Sequence, residues 1–149
     1  MTAPQLTLSK FIPYCLSVVS NEISNKIALS YQTQFGIDLH QWRVMAVLGE
    51  ESDLSAQDVS SRTAMDKVAV SRAVKKLIHS NMVSREFDVA DKRRSILNLT
   101  SKGLEIYQQV VPLAKSYEDE LLKQVSESEV KEFVYLLNKL RAANANLKI

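Results

Sequence analysis

Residues 55–103 read SAQDVSSRTAMDKVAVSRAVKKLIHSNMVSREFDVADKRRSILNLTSKG, and this stretch decides the fold. It contains two short helical patterns separated by a tight break, followed by two alternating segments joined by a charged loop. The order of helix, turn, helix and hairpin can place one helix and one basic loop against a DNA duplex. The stretch therefore predicts a helix-turn-helix with a β-hairpin wing.

The two helices of this stretch begin at recognisable capping residues. Ser55 and Asp58 have the spacing of a capping box, so the first helix is predicted to begin there and to end near Ala64. Asp66 suits the start of the second helix as a cap and as a negative charge near the helix dipole. That helix is predicted to reach about Ser80. The residues of its apolar face recur at helical spacing and are Val70, Val74, Leu77 and Ile78.

The opposite face of the second helix mixes long cations with small side chains. Lysines and arginines reach phosphates or guanine edges, a serine supplies a short hydrogen bond, and small apolar groups contact thymine methyls. Taken singly, Lys75, Lys76 and His79 are better interpreted as solvated surface residues. The predicted DNA contacts of this helix are Asp66, Lys67, Val68, Ala69, Ser71, Arg72, Lys75 and Lys76.

A hairpin is predicted after Asn81, a residue type that often ends a helix in the left-handed conformation. Apolar and polar residues alternate in strands around Val83–Phe87 and Ser95–Leu99. No Asn-Gly or Gly-Gly pair lies between them, which indicates a longer loop over about 88–94. A basic loop suits the narrow, electronegative minor groove, and Asp91 is expected to hold one arginine in a bidentate pair. The predicted wing contacts are Asp91, Lys92, Arg93 and Arg94.

The rest of the chain has helical patterns. A first helix is predicted from about Thr7 to Gln34, with Pro13 as either a kink or the true start and Gly36 as its stop. A second apolar helix covers the segment around Trp42. Thr100 or Ser101 is expected to begin a long helix to about Lys123, bent at Pro112. Ser126 and Glu129 form another capping box for a last helix.

Composition agrees with a DNA-binding protein and disfavours an enzyme. The chain has 149 residues and a formal net charge of +2, typical of one domain. Acidic residues outnumber basic ones up to Ser61, whereas basic residues dominate between Arg62 and Arg94. The sequence has no glycine-rich phosphate loop or metal-ligand spacing, so no catalytic site, metal or cofactor is expected. A lone Cys15 and the lack of a signal peptide or apolar span predict a cytoplasmic protein without membrane contact.

Five segments carry a resemblance to the MarR (multiple antibiotic resistance regulator) family. They are Met65–Val74, Asp91–Arg94, Leu99–Gly103, Gln41–Leu48 and Phe11–Tyr14. The resemblance implies a mostly α-helical winged helix-turn-helix with about six helices and a small hairpin wing. It also implies a single domain over residues 1–149. About 37–100 would form the DNA-binding lobe, and about 1–36 and 101–149 a helical dimerisation region.

One departure from the family pattern is Asn81, where glycine is usual, but asparagine tolerates the same backbone conformation. The resemblance implies a homodimeric transcriptional regulator, a repressor in our interpretation, that binds a pseudo-palindromic operator in double-stranded DNA. Periodicity does not separate a dimer interface from the core of one subunit. The interface candidates are Phe11, Tyr14, Ile106, Tyr107, Val110, Phe133, Leu136, Leu137 and Leu140.

The resemblance also implies modulation by a small effector, often an aromatic or phenolic acid. Aromatic side chains can stack on a ring, and Arg43 or His40 can meet a carboxylate. Each candidate is individually better interpreted as an ordinary core or rim residue. The candidates are Phe11, Tyr14, Cys15, His40, Trp42, Arg43 and Met45.

The sequence is compatible with two alternative functions. The first is a thiol-based redox sensor acting through Cys15, although a buried inert thiol is the better interpretation because no cation lies within one helical turn. The second is a winged-helix protein-interaction module that does not bind DNA. The basic wing disfavours it, since such a module needs a neutral or acidic face.

Overall fold

The fold is a mostly helical winged helix-turn-helix, as predicted. A computed structural model describes residues 2–91 and 93–149. Within those ranges one antiparallel hairpin accompanies six α-helices. The elements are α1 (Ile12–Phe35), α2 (Leu39–Glu50), α3 (Ala56–Thr63), α4 (Lys67–His79), β1 (Val83–Phe87), β2 (Ser95–Leu99), α5 (Ser101–Leu121) and α6 (Glu127–Asn146). The chain divides into one compact unit that ends at Leu113 and a second, Ala114–Ile149.

Pro13 marks the start of α1 rather than a kink within it. It lies in the first turn, where its missing N–H has no helical partner to lose. A short 3₁₀ turn, Leu8–Lys10, precedes the helix, and Phe11 between them is extended. Of the two interpretations of Pro13, the true start is therefore confirmed, and the residues from Thr7 to Phe11 are not part of α1. The predicted stop is confirmed, because Gly36 adopts the left-handed conformation with φ 67°.

A capping box that the sequence analysis missed begins α2. The Asp38 carboxylate accepts from the Gln41 backbone N–H at 2.8 Å, and the Gln41 side chain accepts from the Asp38 N–H at 2.9 Å. Both free N–H groups are thus satisfied at the start of the helix. This helix carries Val44, Met45 and Leu48 into the core of the first unit.

The helix-turn-helix is built from α3 and α4. The predicted box at Ser55 and Asp58 is present, and the Asp66 carboxylate accepts from the Ala69 N–H at 2.8 Å. In the turn between the helices, Ala64 has φ 54°, in the left-handed region that costs a side-chain-bearing residue about 1–2 kcal/mol.

Replacing Ala64 with glycine is expected to stabilise the protein. Glycine adopts positive φ without the steric cost, although it loses more chain entropy on folding, so the expected net gain is about 1 kcal/mol. Urea unfolding monitored by circular dichroism measures it. Asn81→Gly is the matched control and should change stability less, because asparagine tolerates this conformation. A lower stability for Ala64→Gly than for the wild type would contradict the proposed strain.

A Schellman motif ends α4. The Asn81 N–H donates to the Ile78 carbonyl at 2.9 Å, and the Met82 N–H donates to the Leu77 carbonyl at 2.8 Å. Asn81 has φ 60°, as expected for the residue after the helix cap. The motif turns the chain directly into β1.

The wing is an antiparallel pair in which Val83 lies opposite Leu99 and Phe87 opposite Ser95. A longer loop joins the strands, as predicted. Beyond β2, Leu54 in the loop after α2 forms an isolated bridge to Leu97 with backbone hydrogen bonds of 3.3 and 2.7 Å. This bridge attaches the wing to the rest of the first unit.

Thr100 joins the end of α4, the base of the wing and the start of α5. Its N–H donates to the Met82 carbonyl at 3.0 Å, and its hydroxyl donates to the Asn81 carbonyl at 2.7 Å. The same hydroxyl accepts from the Gly103 N–H at 3.0 Å, so Thr100, rather than Ser101, caps α5. Gly103 packs on the backbone of Met82, where a Cβ atom would lie 2.9 Å from the carbonyl carbon and overlap the oxygen.

The core of the first unit collects one face of each helix and the inner residues of the wing. Val70, Val74 and Leu77 of α4 are buried as predicted, and Ile78 packs at the edge of the core. Leu97 is fully buried, whereas Phe87, which alternation placed on the same face, is exposed because the hairpin extends past the core.

The second unit contains the end of α5 and all of α6. The predicted box at Ser126 and Glu129 begins α6. Every residue of α6 from Lys131 onward is exposed in the single chain, including large apolar side chains. Those with the largest apolar exposure are Phe133, Val134, Tyr135, Leu136 and Leu140. In the described residues, no helix combines the length and apolarity that crossing a membrane requires.

Candidate nucleic-acid interface

The outward face of α4 exposes the side chains that the sequence analysis assigned to DNA. Val70, Ala73 and Val74 anchor the helix in the core, which leaves its opposite face to solvent. Val68 is 59% exposed on this face, where its small apolar side chain is free to contact a thymine methyl. Ala69 is half-buried, and the exposed candidates are Asp66, Lys67, Val68, Ser71, Arg72, Lys75 and Lys76.

One of these cations already has a carboxylate partner. The Lys76 ammonium lies 3.0 Å from the Asp38 carboxylate at the start of α2. Burial would raise the pKa of Asp38, but the hydrogen bond from the Gln41 N–H and the nearby Lys76 outweigh it and lower that pKa. Lys76 therefore ties α4 to α2, which makes it a weaker candidate for DNA than Lys75.

The wing loop is ordered by its own carboxylates. Asp91 accepts from the Arg93 backbone N–H at 3.0 Å, and Asp88 accepts from the Ala90 N–H at 2.9 Å. The expected bidentate pair of Asp91 with an arginine is not seen among the described residues. Arg94 instead pairs with Asp58 of α3 at 3.5 Å. Arg93 is exposed, and the predicted contact Lys92 lies outside the described residues.

A groove of about 540 Å³ runs between the start of α3 and the wing. Its lining residues are Ser55, Ala56, Gln57, Asp58, Asp91, Arg93, Arg94 and Ser95. The wing arginines and the acidic residues share this groove, so the local charge is balanced there. The excess positive charge lies instead on the outward face of α4.

Asp58 links α3 to the wing and makes stability depend on pH. Its pKa is lowered from 3.8, chiefly because its carboxylate accepts from Ser55, with a smaller contribution from the positive charge of Arg94. A carboxyl group whose pKa is lowered by folding stabilises the protein above the unfolded-state pKa, and this contribution is lost as pH falls through the folded-state pKa.

Asp58→Asn is therefore expected to destabilise the protein at neutral pH and to matter progressively less in acid. The stability difference from the wild type should shrink between about pH 5 and about pH 2. Denaturant titrations across this range measure it, with Asp119→Asn as a control at an exposed carboxylate. A difference that stayed constant down to about pH 2 would contradict the role of the charge.

The structure separates the effector candidates into different environments. Met45 is fully buried in the core, which agrees with its interpretation as an ordinary core residue. Phe11, Tyr14 and His40 are exposed, and Arg43 is half-buried with its guanidinium 3.4 Å from the Ser24 hydroxyl. The Cys15 thiol lies 3.6 Å from the Leu8 carbonyl oxygen and can donate to it.

An aromatic cluster joins α1, α2 and α5. The Trp42 ring centre lies 5.8 Å from that of Tyr31, which is tilted against it, and 5.8 Å from that of Tyr107, which stacks on it. Tyr31, which the sequence analysis did not select, is 1% exposed, and its hydroxyl has no hydrogen-bond partner among the described residues. Burial raises the pKa of Tyr31 to about 12, so the hydroxyl stays protonated and available as a donor.

The candidates for the dimer interface also divide into buried and exposed residues. Val110 is fully buried, and Ile106 and Tyr107 pack against the core of the first unit, so these three candidates have the core position that the sequence analysis left open. Helical periodicity could not distinguish these positions, because both kinds of contact need an apolar stripe. The exposed candidates are Phe11, Tyr14, Phe133, Leu136, Leu137 and Leu140.

Residues 35–94 match the sequence profile of the MarR family. Over 105 residues the chain is 29% identical to the HTH-type transcriptional regulator BilQ of Clostridium symbiosum, covering 70% of this chain and 73% of that protein.

Solved structures extend the similarity beyond the matched segment. A MarR/EmrR family transcriptional regulator from Acinetobacter sp. ADP1 is 32% identical with a TM-score of 0.89, over 95% of this chain and 100% of that one. The fold also matches Staphylococcus aureus MepR in a complex with DNA, with a TM-score of 0.80 and 22% identity over 89% of this chain and 98% of that one.

Proposed function

Because this chain belongs to the MarR family of transcriptional regulators, we propose that it is a homodimeric repressor of transcription, modulated by a small aromatic or phenolic effector. Its partner is a pseudo-palindromic operator in double-stranded DNA, which it meets in the cytoplasm. We assign DNA binding to about residues 37–100 and dimerisation to about 1–36 and 101–149.

The observation that carries DNA binding is the division of α4 into a buried and a basic face. Its inward side is locked in the core by Val74 and Leu77, whereas Arg72 and Lys75 face solvent. A helix presented in this way fits the major groove, with the wing loop beside it at the minor groove. The fold it shares with MepR, which was solved in a complex with DNA, supports DNA binding by this fold.

A mobility-shift titration at several salt concentrations tests this proposal against the protein-interaction alternative. Phosphate contacts should give measurable binding to a nonspecific duplex at low salt, with the logarithm of affinity falling linearly as the logarithm of salt rises. Selection of bound fragments from the source genome then identifies the operator. Failure to bind any duplex at low salt would overturn the proposal.

Dimerisation is supported by apolar surface that the single chain leaves uncovered in each unit. Phe11 and Tyr14 are exposed at the start of the chain, and Phe133 and Leu136 are exposed on α6. Two copies related by a two-fold axis would place their recognition helices about 34 Å apart, one turn of DNA. Sedimentation equilibrium measures the mass. Transcription in vitro from a promoter that contains the operator distinguishes a repressor, which lowers transcript, from an activator.

The buried Tyr31 hydroxyl supports an effector site at the aromatic cluster. A buried donor without a partner costs about 1–3 kcal/mol, and a ligand that supplies an acceptor oxygen recovers it. An aromatic acid combines such an oxygen with a ring that can pack against this aromatic cluster. Trp42 is the chain's single tryptophan, so its fluorescence reports binding directly.

Tyr31→Phe is expected to stabilise the ligand-free protein by about 1 kcal/mol, since it removes the unsatisfied hydroxyl and keeps the ring. The same variant should bind 4-hydroxybenzoate about tenfold more weakly than the wild type in a Trp42 fluorescence titration. Tyr135→Phe, at an exposed tyrosine outside the effector candidates, is the control. If Tyr31→Phe has the same stability and the same ligand affinity as the wild type, Tyr31 is excluded as an effector contact.

A further inference from the structure

We propose that Asp53 and Asn98 form a positioning pair that sets the direction in which the wing meets DNA. The inference rests on the proposed DNA binding but assigns a role to residues outside the DNA-contacting surface. Neither residue belongs to α4 or to the wing loop. Their effect on DNA is exerted through the orientation of β2.

The pair is reciprocal. The Asp53 backbone N–H donates to Asn98 Oδ1 at 2.7 Å, and Asn98 Nδ2 donates to Asp53 Oδ1 at 2.8 Å. Because a backbone N–H can only donate, it fixes the orientation of the Asn98 amide. Asp53 has φ 59°, a conformation that aspartate tolerates better than most residues and that lets its N–H and carboxylate reach the same side chain.

The pair supplements the backbone bridge next to it. Leu54 and Leu97 join the loop after α2 to β2 through two backbone hydrogen bonds, and the Leu97 side chain is fully buried. Asn98 follows Leu97 in the strand, so its side chain lies on the opposite face of the hairpin. The buried Leu97 thus holds β2 from one face and the Asp53–Asn98 pair holds it from the other, which prevents the strand from pivoting about the bridge.

The distance along β2 from Asn98 to the wing loop explains why this restraint matters for DNA binding. Asn98 lies four residues after Arg94, about 13 Å along an extended strand. A rotation of β2 by about 15° at Asn98 would therefore move the wing loop by about 3 Å, more than a hydrogen bond to a base edge or phosphate tolerates. Arg93 would then leave the minor groove while the recognition helix, held by the core, stayed in place.

Dimethyl sulfate footprinting on the selected operator fragment tests the pair, because the reagent modifies guanine N7 in the major groove and adenine N3 in the minor groove. We expect Asn98→Ala to lose adenine protection under the wing and to keep guanine protection under α4. Operator affinity should fall about tenfold, equivalent to loss of one good contact. Ser84→Ala, opposite Asn98 in β1, is the matched control and should keep both protections.

Exchanging the two residues tests whether the hydrogen bonds between positions 53 and 98 are required, whichever residue carries the carboxylate. Asn98→Asp alone places two carboxylates together and should behave like Asn98→Ala. The double variant Asp53→Asn/Asn98→Asp restores a donor opposite each acceptor and keeps a residue that tolerates positive φ at position 53, so it should recover adenine protection. Asp53→Gly keeps the backbone conformation without the carboxylate and should lose protection.

The outcomes are distinguishable. A wild-type protein that binds no DNA overturns the proposed function itself. If the wild type protects bases in both grooves and Asn98→Ala protects the same bases, only the positioning role of the pair is overturned. Parallel loss of both protections, or no recovery in the double variant, would indicate a general structural role and equally overturn the inference. Thermal unfolding of each variant beforehand confirms that the comparison is made on folded protein.

Discussion

Gly103→Ala is expected to destabilise the protein by about 3 kcal/mol, because a Cβ atom there has no space. It would overlap the carbonyl oxygen of Met82, and the obstacle is backbone held between α4 and β1 rather than the end of a flexible side chain. Alanine is otherwise favoured over glycine within a helix by about 1 kcal/mol. The clash must therefore exceed that preference, and α5 must shift to relieve it.

Urea unfolding compares this variant with Gly36→Ala. At Gly36 the added Cβ atom meets nothing within 4 Å, and only the positive φ of 67° opposes it, so a loss of about 1 kcal/mol is expected. A smaller loss at Gly103 than at Gly36 would contradict the close packing of α5 on Met82. An increase in stability at Gly103 would mean that helix propensity alone decides this position.

Arg72→Ala is expected to weaken operator binding by about 1–3 kcal/mol, roughly 5- to 150-fold, and to relax base preference at one position in each half-site. The physical reason is that Arg72 lies on the exposed face of α4, where a guanidinium can reach a guanine edge. Binding isotherms on the operator and on single-base variants of it measure both effects.

Arg93→Ala serves as the comparison, because a wing contact acts through the backbone and the shape of the minor groove. It should weaken binding to all sequences similarly and reduce the salt dependence. Arg141→Ala on α6 removes the same charge from the second unit and controls for net charge. Equal losses for Arg72→Ala on every operator variant would contradict its assignment to base edges.

Local signals in the sequence predicted the framework well. The boxes at Ser55 and Ser126 and the left-handed Asn81 each depend on side chains and backbone groups within a few residues of one another. The box at Asp38 has the same local character, and the spacing of Asp38 and Gln41 would have revealed it.

Long-range partners were beyond prediction. Lys76 and Asp38 are 38 residues apart in the chain, and nothing in either local sequence indicates that they meet. At the wing the local interaction was misjudged instead. Aspartate at the start of a turn readily accepts from the backbone two residues later, and Asp91 does so with Arg93 rather than binding a guanidinium.

Burial was predictable for one helix and not for another. In α4 the basic face makes the apolar stripe unambiguous, whereas in α5 an apolar stripe serves either the core or a partner. Val110 is fully buried, so at its position the apolar stripe of α5 contributes to the core. Deciding between the two requires the packing of the whole unit, which periodicity does not contain.

The hydrogen bonds of Thr100 couple local opening of the wing to opening of two helix ends. One hydroxyl connects the end of the recognition helix, through Asn81, to the start of α5, through Gly103. The strands at the base of the wing therefore cannot detach from the domain without uncapping a helix, so their amide hydrogens should exchange with solvent only in large cooperative openings. The base of the wing and the recognition helix should thus open together, as one cooperative unit.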